Sequence, residues 1–369
     1  MAEEMPLTSS PGEENLEDCI ALCLSGGGYR AMLFHLGTLW YLNDAEYLPK
    51  LARISSVSGG SITAATLAIH WGELKKKEDF ESKVVEPVRN MAGKTIDVQS
   101  ILGGVFGRGS VSDRIIGHYE ETLYGQRTLQ DLPDQPRFVI NATNVQTGSL
   151  FRFSKPYIGD YRIGLYKNPT KKVSEAVAAS SAFPPILSPM RLEFGPHDFD
   201  TDPGPLNKPP FNTEVYLSDG GVYDNLGIET SWKRCKTILV SDAGGKMVAE
   251  AKPHTDWAFH GVRIASLVDN QVRSLRKRQI VAAFKNGDRK GAYWGMWTDP
   301  AAYSAQSALA LPGDKAAELA GISTRLAELS AEDQERLIDF GYGMAERAIR
   351  SYYDPQAFAA PGFPYARGI

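Results

Sequence analysis

The sequence predicts an α/β fold with a mostly parallel central sheet and helices on both faces, and three observations lead there. Short apolar runs end repeatedly at glycine-containing turns, two of these turns lead directly into segments with helical spacing, and strand, helix, strand, helix at that spacing requires crossover helices between parallel strands. The run Cys19 to Leu24 stops at Ser25 and three glycines and is expected to be a buried strand. Leu33, Leu36, Leu39, Trp40 and Leu42 then recur at helix spacing between Ala31 and Leu42. Arg53 to Val57 supplies a second strand, Ser58-Gly59-Gly60 the turn after it, and Ile62 to Trp71 a helix of small and apolar residues able to lie close on a sheet. Phe138 to Val145 and Leu150 to Phe153, turning around Gly148, form an expected antiparallel hairpin. Asp198 to Asn212 reads as a loop, and Thr237 to Val240 as a strand ending in Ser241-Asp242-Ala243-Gly244-Gly245.

The last third is rich in Ala, Glu and Arg. Ser330 with Asp333 marks a helix start there, with Leu337, Gly341, Met344, Ala348 and Tyr352 on one face of the helix that follows. The chain is therefore expected to comprise a disordered segment over residues 1–17, an α/β domain over 18–250 and a mainly helical extension over 251–369 packed on the core.

Composition narrows the function. A formal net charge of -4 over 369 residues argues against binding nucleic acid through bulk positive charge. Cys19, Cys23 and Cys235 cannot all pair within one chain and lack zinc-ligand spacing with histidine, so free thiols in a reducing, cytoplasmic setting are expected. The acidic, polar start to Glu17 has no secretory pattern, and no apolar stretch is long enough to span a bilayer. Any contact with lipid is expected to be peripheral. No metal or cofactor is expected, because no His/Asp/Glu cluster has ligand spacing.

Ester cleavage by a serine needs an exposed hydroxyl, a base for its proton and donors for the oxyanion. In Ser56-Val57-Ser58-Gly59-Gly60 the central serine sits where an apolar strand turns into a helix, the setting of a nucleophile elbow, with Ser56 where the usual pattern has glycine. Gly26, Gly27 and Gly28 open a helix with unpaired N–H groups, a candidate oxyanion hole worth about a hundred- to a thousand-fold in rate per donor. Asp219, followed by Gly220 and Gly221 after the run Val215 to Leu217, can point into a site while the chain turns away, against an ordinary Asp-Gly turn, the favoured reading of this element taken alone. A dinucleotide fingerprint on Gly26, Gly28 and Ala31 is the competing reading of the glycines, and it fails because the second strand ends in Ser56-Val57-Ser58 where an acidic residue is required.

Gly26-Gly27-Gly28-Tyr29-Arg30, Ser58-Gly59-Gly60, Ala179-Ser180-Ser181-Ala182-Phe183-Pro184-Pro185 and Asp219-Gly220-Gly221 together resemble the four ordered blocks of the patatin-like phospholipase family. The resemblance implies a three-layer patatin-like fold, Ser58 as nucleophile, Asp219 as its partner in a Ser-Asp dyad, an oxyanion hole in the glycine run and a lipid or acyl-ester substrate. It implies a serine lipid acyl hydrolase working through an acyl-enzyme, with a transacylase or a low-turnover lipid-binding or storage protein as alternatives.

Two rivals concern the base. His254 and His260 follow Asp219 in the order of a Ser-Asp-His triad, and Asp242 is a second aspartate before glycines at a strand end. Two segments are candidates for lipid contact. Ile101 to Arg108 could act as a lid, against an ordinary packed loop. Arg273, Arg276, Lys277, Arg278, Lys285, Arg289 and Lys290 beside Trp294 and Trp297 could meet headgroups, against a solvated helix face, which is favoured.

Overall fold

A computed structural model describes residues 16–95, 111–184 and 187–369. The apolar runs form the strands where expected: β1 (Glu17–Leu24), β2 (Leu51–Val57), the hairpin β3 (Arg137–Asn144) and β4 (Ser149–Phe153), and β9 (Cys235–Asp242). The sequence did not reveal β5 (Tyr157–Asp160), β6 (Gly164–Lys167), β7 (Met190–Glu193) or β10 (Lys290–Gly295), while β8 (Glu214–Asp219) carries the Val215 to Leu217 run. One sheet holds them all, ordered β10-β9-β1-β2-β3-β4-β5-β6, with β7 and β8 joined to it through β3. Neighbours from β10 to β3 are parallel, and the pairings beyond β3 are antiparallel.

Period-two alternation sorts the core between the two faces of the sheet. Leu22, Leu24 and Leu239 point into the larger core under helices α1 (Gly28–Asp44) and α2 (Gly59–His70). Cys23, Ile238 and Val240 point the other way, against Leu226, Ile228 and Ile280. Ile280 belongs to α4 (Trp257–Asn286), which follows α3 (Val173–Ser180) and two four-residue helices in the chain, so helices cover both faces.

The region after residue 250 contributes more than helices, since β10 forms an edge of the sheet. Ser330 caps α5 (Ala331–Tyr352), its hydroxyl accepting the Asp333 N–H at 3.0 Å. Leu337, Gly341, Met344 and Ala348 are buried as expected, whereas Tyr352 lies exposed on the last turn. Glycine makes the α1–α5 contact possible: a Cβ on Gly37 would meet the Ile338 carbonyl oxygen at 1.8 Å, and one on Gly341 the Phe34 carbonyl oxygen at 1.9 Å.

The expectation of three free thiols is corrected. Cys19 and Cys235 form a disulfide with a Cα–Cα separation of 5.0 Å, and only Cys23 is a free, buried thiol. The pairing follows from strand adjacency. Glu17 pairs with Cys235 and Ile20 with Thr237, so one extra residue in β1 brings Cys19 beside Cys235 across 216 positions of sequence. The argument from free thiols to a reducing compartment loses its support. A cross-link closing so long a loop is expected to stabilise the fold by about 2–4 kcal/mol. Thermal melting should therefore drop by several degrees in reductant and in Cys19→Ser; identical melts in both would show that the bridge does not form in solution.

Candidate active site

Ser58 is the hinge between β2 and α2. Its backbone has φ 51° and ψ -121°, a region that a side chain normally avoids and that costs about 1–3 kcal/mol. Its carbonyl accepts the Ser61 N–H at 2.8 Å and so starts the helix. A serine at that position ordinarily turns its hydroxyl onto the first helical N–H groups, but Ser58 makes no such cap. The hydroxyl is left for other chemistry, at the positive end of α2 and with 8% of the residue exposed.

Strand register brings Asp219 to this point. Val57 pairs with Asn141 of β3, and Asp219 pairs with Ala142, the next residue, so β2 and β8 meet end to end along β3. Gly220 is required at that junction, where a Cβ would lie 2.3 Å from the Asn141 carbonyl oxygen. Asp219 is 3% exposed; its Oδ1 accepts the Gly221 N–H at 2.7 Å, and its buried Oδ2 holds no full hydrogen bond. Burial pushes its pKa up to about 7, opposed by the Gly221 N–H and by a hydrogen-bonding interaction with the Ser58 side chain, while Asp269 of α4 adds to the rise. A carboxylate of that basicity can take a hydroxyl proton near neutral pH, which an ordinary aspartate at about 3.9 does poorly.

The glycine loop lies beside Ser58, whose Cβ is 3.1 Å from where a Gly26 Cβ would lie. Gly27 (φ 142°) and Gly28 (φ 61°) adopt conformations that favour glycine, and a Cβ on Gly59 would lie 2.1 Å from the Gly28 carbonyl oxygen, so the starts of α1 and α2 abut. The three N–H groups are not equivalent. Gly26 donates to the Asn225 carbonyl at 3.1 Å, whereas Gly27 and Gly28 have no acceptor among the described residues.

Several residues support this corner: the Ala-Ser-Ser-Ala-Phe-Pro block, which the family resemblance implies as a support, and Ser61, Asn225 and Arg30, which are not evident as such from the sequence. Ser180, in the Ala-Ser-Ser-Ala-Phe-Pro block, accepts the Ser58 N–H on its hydroxyl at 2.9 Å and the Gly220 N–H on its carbonyl at 3.1 Å. The Ala182 carbonyl accepts the Asp219 N–H at 2.9 Å. That block therefore holds both candidate catalytic residues by the backbone. Ser61 links the Ser180 hydroxyl (2.9 Å) to that of Ser56 (3.0 Å), which gives the serine in place of the elbow's first glycine a structural partner. The Asn225 side chain is wedged among three turns, its Oδ1 2.5 Å from where a Gly26 Cβ would lie and 2.7 Å from that of Gly221, with Nδ2 2.9 Å from that of Gly244. Arg30 is buried, and its guanidinium donates to the carbonyls of Ala320, Ile322 and Ala243. The segment after α4 and β10 is thereby tied down beside the glycine loop, where a Gly28 Cβ would meet the Thr324 carbonyl oxygen at 2.1 Å.

The rival bases are placed differently. Asp242 has both oxygens occupied, Oδ2 by the Tyr293 hydroxyl at 2.6 Å and Oδ1 by the Gly244 N–H at 2.9 Å. His254 is exposed and lies 3.5 Å from Asp256, and His260 is exposed on the first turn of α4. Much of the basic cluster is engaged with the body of the protein. Arg273 donates to the Gly245 carbonyl, Arg276 pairs with Asp224 and Glu229, and Lys277 and Arg289 lie over the rings of Tyr293 and Trp232. Trp294 is fully buried, and the Trp297 indole donates to the Gly244 carbonyl at 3.1 Å. The Ile101 to Arg108 segment lies outside the described residues. No helix among the described residues is long and apolar enough to cross a membrane.

Comparison with known proteins agrees with this architecture. The sequence model of the patatin-like phospholipase family matches residues 22–232. Human GIVD cytosolic phospholipase A2 in complex with methyl gamma-linolenyl fluorophosphonate aligns at 14% identity with a TM-score of 0.51, over 89% of this chain and 57% of that one. At that identity the likeness bears on the fold alone. Another structure of the same human enzyme aligns at 15% identity and TM-score 0.42, over 61% of this chain and 45% of that one. VipD from Legionella pneumophila aligns at 13% identity and TM-score 0.41, over 92% and 67%. The chain thus spans about half the length of the human enzyme. No curated protein matches it.

Proposed function

The chain belongs to the patatin-like phospholipase family, whose sequence model spans more than half of its residues, and on that premise we propose that it is a serine lipid acyl hydrolase. The observation that carries the reading is the meeting of β2 and β8, which brings the Ser58 hydroxyl, not used as a helix cap, toward a buried Asp219 whose Oδ2 holds no full hydrogen bond. Ser58 Oγ attacks the acyl carbonyl carbon while Asp219 takes its proton. The Gly27 and Gly28 N–H groups and the positive end of α2 stabilise the oxyanion. Collapse of the tetrahedral intermediate expels the alcohol, which leaves with the proton from Asp219, and the acyl group stays on Ser58. Water then attacks the ester, giving its proton to Asp219, and Ser58 departs with that proton as the fatty acid is released.

Phe183 and Val222, both exposed, sit three residues from Ser180 and from Asp219 respectively and give the neighbourhood an apolar rim suited to an acyl chain. The test is incubation with phosphatidylcholine in heavy-oxygen water, followed by mass spectrometry. Free fatty acid carrying the heavy oxygen, together with lysophospholipid, is expected. Acyl transfer to an added alcohol without labelled fatty acid would make the protein a transacylase, and absence of both products would leave a binding or storage role.

A further inference from the structure

We propose that α4 is a docking helix for anionic phospholipid surfaces, and that it lays the protein on the bilayer with the Ser58–Asp219 site beside it. The proposal rests on the lipid hydrolase reading for the site and adds the partner surface. The helix lies outside the 22–232 stretch matched by the family model. Its two halves differ. The second half covers the back of the sheet through buried Ile280 and Ala283, whereas Trp257, Phe259, Val262, Ile264, Leu267 and Val268 of the first half are all exposed.

At 100° per residue, Trp257, Ile264, Val268 and Leu275 fall within about 40° of one another and form a stripe about 27 Å long. Leu267 borders it, and all five side chains are exposed, Trp257 to 89%. Asp269, Arg273 and Arg276 turn toward the body on another side, Arg273 to the Gly245 carbonyl and Arg276 to Asp224 and Glu229. Water is a poor solvent for so continuous an apolar stripe, and burying each such side chain favours transfer into an apolar phase.

Three features identify that phase as lipid. The helix has six lysine and arginine side chains and one acidic residue on a chain of net charge -4, with Arg278 and Lys285 exposed beyond the end of the stripe. An apolar stripe continued by cations is the pattern of a helix lying in the interface of an anionic membrane. A tryptophan opens the stripe, and its amphipathic ring favours the headgroup boundary. The helix also borders the site: Arg276 pairs with Asp224, five residues past Asp219, and Asp269 acts electrostatically on Asp219 itself.

The experiment uses the full chain carrying Ser58→Ala, so that lipid is not consumed, in co-sedimentation with vesicles of phosphatidylcholine and phosphatidylglycerol. The added triple change Trp257→Ser, Ile264→Ser and Val268→Ser is expected to weaken vesicle binding at least about tenfold. Omission of phosphatidylglycerol, or Arg278→Gln with Lys285→Gln, should weaken it further in low salt. The triple change in the active chain should leave cleavage of a soluble short-chain ester near its starting rate, which also shows that the variant is folded. Vesicle binding unchanged by the triple substitution would overturn the proposal. So would a dimer, seen by sedimentation velocity, that the triple change splits without altering vesicle binding, since the stripe would then be a self-association surface. Binding is read without turnover, so failure to cleave any ester counts against the hydrolase reading alone.

Discussion

Ser58→Ala is expected to abolish hydrolysis of both soluble esters and phospholipid and to remove labelling by a fluorophosphonate, with the protein still folded. A nucleophile and its base act as a unit, so loss of the hydroxyl should leave only the modest residual catalysis of binding and the oxyanion donors, several orders of magnitude below the wild-type rate. The fold should survive because the Ser58 side chain caps nothing, and the backbone contacts at this corner, the N–H to Ser180 and the carbonyl to Ser61, do not depend on it. Ser58→Gly adds a second readout. At φ 51° and ψ -121° a Cβ is strained, and glycine removes that strain of about 1–3 kcal/mol while loosening the unfolded chain by up to about 1 kcal/mol. The glycine variant should be equally inactive and melt at or above the alanine variant. Fluorophosphonate labelling at another serine, with activity surviving in Ser58→Ala, would remove Ser58 from the nucleophile role.

Much of this corner was legible in the sequence because it is local. A strand, a sharp turn and a helix within Arg53 to Trp71 are written in adjacent residues, as are the glycine run before α1 and the cap at Ser330. What could not be read depends on pairing between distant segments. The meeting of β2 and β8 follows from the register of both on β3, and no pattern around Ser58 or Asp219 encodes it. The same holds for the Cys19–Cys235 bridge, set by the neighbourhood of β1 and β9, and for the Arg30 guanidinium reaching Ala320 and Ile322. β10 was missed because Lys290 to Gly295 is short and carries glycine at both ends of its apolar centre. The glycine run shows the limit most directly. Composition makes Gly26, Gly27 and Gly28 equal candidates, and only the fold shows the Gly26 N–H already bonded to the Asn225 carbonyl.

Asp219→Asn keeps the size of the side chain and removes its basicity, so hydrolysis should fall by at least about a hundredfold, the usual contribution of a positioned base. The pH profile gives the more specific test. Because burial raises Asp219 to about 7, the carboxyl is protonated and unable to accept the Ser58 proton below that pH, and ionised and competent above it. In the wild type kcat/KM should therefore climb about tenfold per pH unit up to about 7 and then level off; the residual activity of Asp219→Asn should lack that limb. Asp242→Asn should retain most activity and the same limb, since both Asp242 oxygens are occupied by Tyr293 and Gly244 and an asparagine can still accept from Tyr293. His254→Ala and His260→Ala should likewise stay near the wild-type rate, as neither exposed ring handles the proton in a two-residue mechanism. A large loss in either histidine variant, with Asp219→Asn only mildly impaired, would restore the triad. Collapse of activity in a folded Asp242→Asn protein, with Asp219→Asn nearly normal and its limb intact, would move the base to the end of β9.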